Sequence, residues 1–181
     1  MRLDPQGLPA KMLAIHQSLA DARIPHAFGG ALALAWCTKR ARGTIDLDLN
    51  LFVRPDRTGE VLLALPPAVV ATDEDRALLE RDGQTRLWWA TTPVDVFLNT
   101  TAFHDQVALR VRWEPFAGGR LPFLACADLA VFKAFFNRTK DWADLEAMRD
   151  AGSLDVAAVA GVLVAHLGAD DDRLDRLLSL A

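Results

Sequence analysis

Asp46 and Asp48 stand two residues apart in Ile45-Asp46-Leu47-Asp48-Leu49-Asn50-Leu51-Phe52-Val53. The strict alternation predicts a β-strand over residues 45–53. Ile45, Leu47, Leu49, Leu51 and Val53 share one face, and Asp46, Asp48, Asn50 and Phe52 share the other. Two acids side by side on one face repel each other. A divalent cation is the simplest agent that makes the arrangement favourable, and oxygen-only ligands point to Mg²⁺ or Mn²⁺. A third carboxylate, Asp95, lies in Thr92-Pro93-Val94-Asp95-Val96-Phe97, which reads as a neighbouring strand with Asp95, Phe97 and Asn99 on one face. Three such acids suit two-metal phosphoryl chemistry, in which one ion activates an attacking hydroxyl and the other steadies the leaving group.

Further residues extend the pattern. Gly29 and Gly30 precede a short apolar segment, Ala31–Cys37, that reads as a buried helix. Glycines there permit close backbone approach, and amides at a helix start favour anions such as a triphosphate; a tight turn with no ligand is the plainer reading. Thr44 can hydrogen-bond phosphate or ribose, or simply fill a strand. Arg42 can touch phosphate or pair with an acid. Lys133 lies beside the stripe Leu129, Phe132 and Phe136, either snorkelling past the core or reaching into a cleft. Lys140-Asp141-Trp142-Ala143-Asp144 follows, where Asp141 can serve the helix dipole and Lys140 can pair with Asp144.

In this order, Gly29-Gly30, Arg42-x-Thr44-x-Asp46-x-Asp48, Asp95, Lys133 and Lys140-Asp141-x-x-Asp144 resemble the motifs of the DNA polymerase β-like nucleotidyltransferases. They are most similar to the AbiEii-like, abortive-infection toxin type. The resemblance spans roughly residues 26–149. It implies an α/β (α+β) fold, a mixed β-sheet flanked by helices, with an all-helical C-terminal part. It implies Asp46, Asp48 and Asp95 as catalytic metal ligands, and Gly29, Gly30, Thr44, Lys133, Lys140 and Asp141 as nucleotide-binding residues. The implied reaction is Mg²⁺-dependent transfer of a nucleoside monophosphate from an NTP to a hydroxyl of an RNA (tRNA included) or a protein. A toxin role opposed by an antitoxin protein comes with it. The chain is short for such a toxin, so a larger substrate-gripping C-terminal domain is not expected. Two other readings stand beside it. One is a different Asp-x-Asp metal enzyme, a phosphohydrolase or glycosyltransferase, against which the Gly-Gly before Asp46 argues. The other is a catalytically silent module that binds a nucleotide or a partner protein.

The elements that position these residues follow from pattern. At 181 residues the chain is long enough for one real core. A net charge of -4 means that any nucleic-acid contact rests on a local basic patch, with Lys39, Arg40, Arg42, Lys133, Arg138 and Lys140 as its candidates. Strands and helices mix to about residue 124, and helices follow: 127–136, 140–149, 154–167 and 171–180. This divides the chain into a core over 1–125 and C-terminal helices over 126–181 packed on it as one unit. Residues 102–112 are ambiguous, with Val107, Leu109 and Val111 favouring a strand at their end. Residues 69–86 follow no assignable pattern. Cys37 and Cys126 stand apart without ligand spacing, so no disulfide or zinc site is expected, and a reducing cytoplasm fits. The first six residues lack a signal-type apolar stretch, and no apolar run is long enough to span a bilayer.

Overall fold

A computed structural model describes residues 7–181; the first six residues, where the absence of a signal segment is read, lie outside it. In chain order the elements are α1 (Leu8–Asp21), β1 (His26–Phe28), α2 (Gly30–Thr38), β2 (Leu47–Leu51), α3 (Thr58–Ala64), β3 (Val69–Val70), α4 (Asp73–Asp82), β4 (Gln84–Trp89), β5 (Thr92–Leu98), α5 (Ala102–Ala108), β6 (Arg112–Phe116), β7 (Gly119–Phe123), α6 (Cys126–Phe136), α7 (Thr139–Asp150), α8 (Val156–Leu167) and α9 (Asp172–Leu178). A 3-10 turn at Pro55–Arg57 precedes α3. This is the mixed α/β architecture that the pattern implies. No described helix is long and apolar enough to cross a membrane.

The chain forms two compact units whose boundaries do not follow chain order. One takes the described residues through Gly29 together with Gly43–Leu124; the other takes Gly30–Arg42 together with Ala125–Ala181. The sheet unit holds all seven strands, ordered β3-β4-β5-β2-β1-β7-β6. The pairs β2–β5 and β1–β7 are parallel and the rest antiparallel. One face of the central strands forms the core: Leu47, Leu49, Leu51, Leu87, Val94, Val96 and Leu98 are all buried. At about 25 cal/mol per Å² each such side chain contributes roughly 2 kcal/mol. Met12, Ile15 and Leu19 of α1 are buried as well, and Ser18 donates to the Ala64 carbonyl at the end of α3 (2.8 Å).

In the helical unit α6 meets α2, α7, α8 and α9. Its core includes Leu129, Ala130, Ala134, Trp142, Leu145, Met148, Val159, Leu163 and Leu177. Trp142 donates its indole N–H to Asn137 (2.7 Å), and Arg176 stacks over its ring. The acidic run Asp170–Asp172 serves a helix start. Asp171 accepts from the Arg173 amide and guanidinium at the head of α9, and these bonds hold its carboxyl down to about 2.

Three expectations are corrected. Cys37 and Cys126 form a disulfide between α2 and α6, across 89 residues of sequence. Pairing at that separation depends on the fold and leaves no local spacing, and the cysteines therefore give no argument for a reducing compartment. The acid-bearing strand starts at Leu47 rather than Ile45, because the Thr44 hydroxyl bonds Asp46 and closes a local turn; Ile45 is left 79% exposed. Residues 102–108 are helical rather than leading into a strand. Val107 is buried and Leu109 is 81% exposed, so the apparent alternation does not reflect a face.

Candidate functional site

Register brings two of the three predicted carboxylates together on the sheet. Asp48 of β2 lies directly opposite Asp95 of β5 in a parallel pair. Cross-strand partners share a face, and both residues are half-buried between fully buried neighbours: Leu47 and Leu49 for one, Val94 and Val96 for the other. Asp46 precedes the strand by one residue and is held in place by Thr44, whose hydroxyl donates to its carboxylate and accepts from its amide (3.4 Å). Thr44 therefore orients an acid in this structure.

Gly29 ends β1 beside the same acids. Its amide donates to the Asp48 carbonyl (2.8 Å), so this N–H is spent on the sheet. A Cβ at Gly29 would stand 2.8 Å from the Asn50 side-chain nitrogen and 3.6 Å from the Asp48 Cβ, contacts too close for any side chain at the first of these. Gly30 has φ +54°, in the left-handed region that glycine reaches without steric cost. Both glycines are thus needed for the turn from β1 into α2.

A fourth residue joins the acids, and nothing in the sequence pattern singles it out. Arg86 of β4 lies opposite Asp95 in an antiparallel pair. Its guanidinium grips both carboxylate oxygens, at 2.7 and 2.8 Å, with the planar fork that Arg presents to carboxylates. Asp48, Asp95 and Arg86 thus form one row across three strands. The bond to Asp95 raises the Arg86 pKa; the Asp95 charge adds to this, and Asp46 and Asp48 contribute in the same direction. Arg86 therefore feels all three acids.

The donor set fits a hard divalent cation: three carboxylates, no sulfur or nitrogen, with Asp48 and Asp95 on one face of the sheet and Asp46 in the turn before β2. Among the described residues no three acids, histidines or cysteines already converge on a single point.

The other predicted residues lie in the helical unit. Lys133 of α6 is buried, donating to Asp144 of α7 at 2.6 Å and lying 3.7 Å from Asp141. Arg42 also bonds Asp144. Asp141 is buried; it accepts from the Arg138 amide (3.3 Å) and guanidinium (2.6 and 3.1 Å) at the start of α7. Lys140 is exposed and does not take the predicted pairing with Asp144, which bonds Lys133 and Arg42. The Lys-Asp-x-x-Asp element thus supplies two buried acids that neutralise three cations of its own unit.

The histidines lie elsewhere. The Nδ1–H of His26 donates to the Ile24 carbonyl (2.8 Å), so its Nε2 accepts from the Nδ1–H of His16 (2.9 Å). Both pKa values are lowered by burial, that of His26 to about 4. His104 of α5 bonds Thr101 at that helix's start, and burial lowers its pKa too.

No protein-family model matches the sequence, and no curated protein does. Solved structures do. The solution structure of the antibiotic-resistance factor ANT(2'')-Ia superposes with a TM-score of 0.58 at 15% identity, covering 86% of this chain and 89% of that one. The crystal structure of ANT(2'')-Ia in complex with adenylyl-2''-tobramycin gives 0.56 at 15% identity, covering 84% and 92%. An antigenic nucleotidyltransferase-like protein from Paracoccidioides brasiliensis gives 0.51 at 12% identity, covering 94% and 86%. At such identities the likeness concerns the fold alone: this chain shares its mixed α/β fold with ANT(2'')-Ia and with a nucleotidyltransferase-like protein.

Proposed function

We propose that this protein is a nucleotidyltransferase of the AbiEii-like type. It moves a nucleoside monophosphate from an NTP to a hydroxyl of an RNA, such as a tRNA, or of a protein, as a toxin opposed by an antitoxin. The observation that carries the reaction class is the direct register of Asp48 and Asp95 on neighbouring parallel strands of this fold, with Asp46 one residue before β2. Asp46, Asp48 and Asp95 would hold Mg²⁺ or Mn²⁺, which would supply positive charge against the triphosphate and the leaving pyrophosphate. Thr44 fixes the carboxylate of Asp46. Gly29 keeps the end of β1 bare next to Asp48. Of the residues that the resemblance assigns to nucleotide, Gly30 shapes the turn, Lys140 is the exposed cation suited to phosphate, and Lys133 and Asp141 position their helices from within buried ion pairs. Use of cellular NTP makes the cytoplasm the working compartment. The acceptor and the toxin role rest on the motif resemblance.

A second acceptor class is favoured by one neighbour: ANT(2'')-Ia is seen with an adenylylated aminoglycoside, so a small-molecule hydroxyl competes with RNA and protein. One experiment addresses both. The protein is incubated with each α-labelled NTP, Mg²⁺ or Mn²⁺, and in turn total RNA, cell protein or tobramycin, with Asp48→Asn as control. Label transferred to one acceptor and lost in the control is expected. Transfer that persists in Asp48→Asn would overturn the mechanism; phosphate release without pyrophosphate would point to a hydrolase.

A further inference from the structure

We propose that Arg86 is an internal counter-ion of the acid face, which must let go of Asp95 before that carboxylate can serve a divalent cation. This rests on the metal-dependent reading above and adds to it a residue that neither the motifs nor the fold likeness assigns.

Three observations carry it. The first is geometry: the Arg86 fork engages both oxygens of Asp95, at 2.7 and 2.8 Å, and so takes the lone pairs that a cation would use. The second is placement. Register fixes Arg86 opposite Asp95 and Asp95 opposite Asp48, so the guanidinium lies in the same row as the acids and not on a neighbouring surface. The third is exposure. The Arg86 side chain is 50% exposed and that of Asp95 is 18% exposed. An ion pair in that setting is weakly held against water and against competing ions, unlike a buried one. The arginine end of the pair can therefore move into water, while the mostly buried Asp95 carboxylate that it leaves requires another cation in its place, and once released the planar fork suits the phosphate oxygens of a nucleotide. The consequence is competition: Asp95 is paired with Arg86 or with a metal, and the arginine sets the cation concentration at which the exchange occurs.

The test is Mn²⁺ binding by the full chain without nucleotide, followed by the electron paramagnetic resonance signal of unbound Mn²⁺. The variants are Arg86→Gln, Arg86→Lys, Asp95→Asn and the double change Arg86→Gln with Asp95→Asn. Arg86→Gln is expected to bind Mn²⁺ about tenfold or more tightly than the wild type, one charge-pair's worth of competition. Arg86→Lys, which keeps the charge and loses the fork, is expected between the two. In the Asp95→Asn background, removal of Arg86 is expected to gain less than half of that factor in logarithmic terms, because the pair it broke is already gone. Equal Mn²⁺ binding by wild type and Arg86→Gln overturns the counter-ion role and leaves the metal reading intact. An Arg86 effect that is the same with and without Asp95 overturns the direct pair and assigns the effect to general charge. Absence of Mn²⁺ binding in every variant overturns both this inference and the metal reading.

Discussion

Asp95 and Asp144 are both carboxylates gripped by a cation at hydrogen-bond distance, one in each compact unit. Asp95 meets Arg86, whose side chain is half exposed. Asp144 meets Lys133, whose side chain is 8% exposed, and Asp144 itself is 10% exposed. The chemistry of the two contacts is alike; the dielectric around them is not. Water can replace Arg86 at Asp95, so that pair is exchangeable and suited to a site that must change partners. Little water can reach Lys133, so its removal leaves Asp144 to Arg42 and Asp141 to Arg138 in the interior of the helical unit, each with one buried bond fewer. Asp95 is held by a cation that faces water, and Asp144 by one that does not. The difference also decides how the Lys-Asp-x-x-Asp element is read: its acids hold cations of their own unit, while Lys140 stays exposed.

The contrast breaks if burial does not govern the cost of losing the partner. Lys133→Met is the severest trial. It removes the buried ammonium, keeps most of the volume, and leaves Asp141 and Asp144 without their shared partner. A loss of about 3–5 kcal/mol is expected in urea unfolding, the usual cost of breaking a buried pair from one side. Adding Asp144→Asn to Lys133→Met should recover part of it, because the stranded charge is removed as well. A single variant that unfolds at the wild-type midpoint would mean that Lys133 is held loosely enough to serve a ligand.

The helical unit has a second tie. The Cys37–Cys126 disulfide closes a long loop, and its loss by reduction or by Cys37→Ser with Cys126→Ser is expected to cost about 2–4 kcal/mol. A comparison of melting temperatures with and without reductant measures it, with the double variant insensitive to reductant. Should reduction also weaken Lys133→Met by the same amount, the two ties act independently; a smaller combined loss would place them in one cooperative group.

How much of this was legible beforehand follows from how local each signal is. The strand positions of Asp48 and Asp95 were readable because a period of two with acids on one side is a property of a few consecutive residues. The four C-terminal helices were readable to within about two residues at most ends for the same reason. Arg86 was not, since it becomes meaningful only when β4 pairs with β5 in a register that sets it opposite Asp95. The disulfide and the Lys133–Asp144 pair share that dependence on distant pairing. Ile45 misled because an apolar residue in phase with a strand looks like part of it, and the hydroxyl of Thr44 ends the strand first. The run Val107, Leu109, Val111 misled because short alternations occur in helices too, where only Val107 faces inward.

His26 offers a pH-dependent version of the same contrast, a buried group that is neutral where Lys133 and its acids are charged pairs. Burial lowers its pKa from 6.5 to about 4; the Ile24 carbonyl opposes this and His16 adds to it. Between those values the unfolded chain binds a proton that the folded chain refuses, so stability is fully present above pH 6.5 and is lost as pH falls towards 4. From pH 7.5 to pH 5 the expected loss is about 2 kcal/mol, and His26→Gln should flatten that part of the curve. A curve that keeps its full slope in His26→Gln would assign the pH dependence to other groups, His16 and His104 first among them.

The smallest effect sharpens the comparison most. Arg86→Gln should cost under about 1 kcal/mol of stability, as exposed pairs do, even though its two bonds to Asp95 are as short as the bond that Lys133 makes to Asp144 within about 0.2 Å. Removing the guanidinium also leaves Asp95 facing Asp48 with less positive charge nearby, so the loss should be greatest at low ionic strength and shrink as salt screens the acids. Urea titrations of the variant at low and high salt measure both quantities. A loss as large as that of Lys133→Met, unchanged by salt, would mean that Arg86 is a structural cross-link between β4 and β5. A small, salt-sensitive loss would mean that the fold does not depend on this arginine staying where it is, which is the condition for Asp95 to change partners.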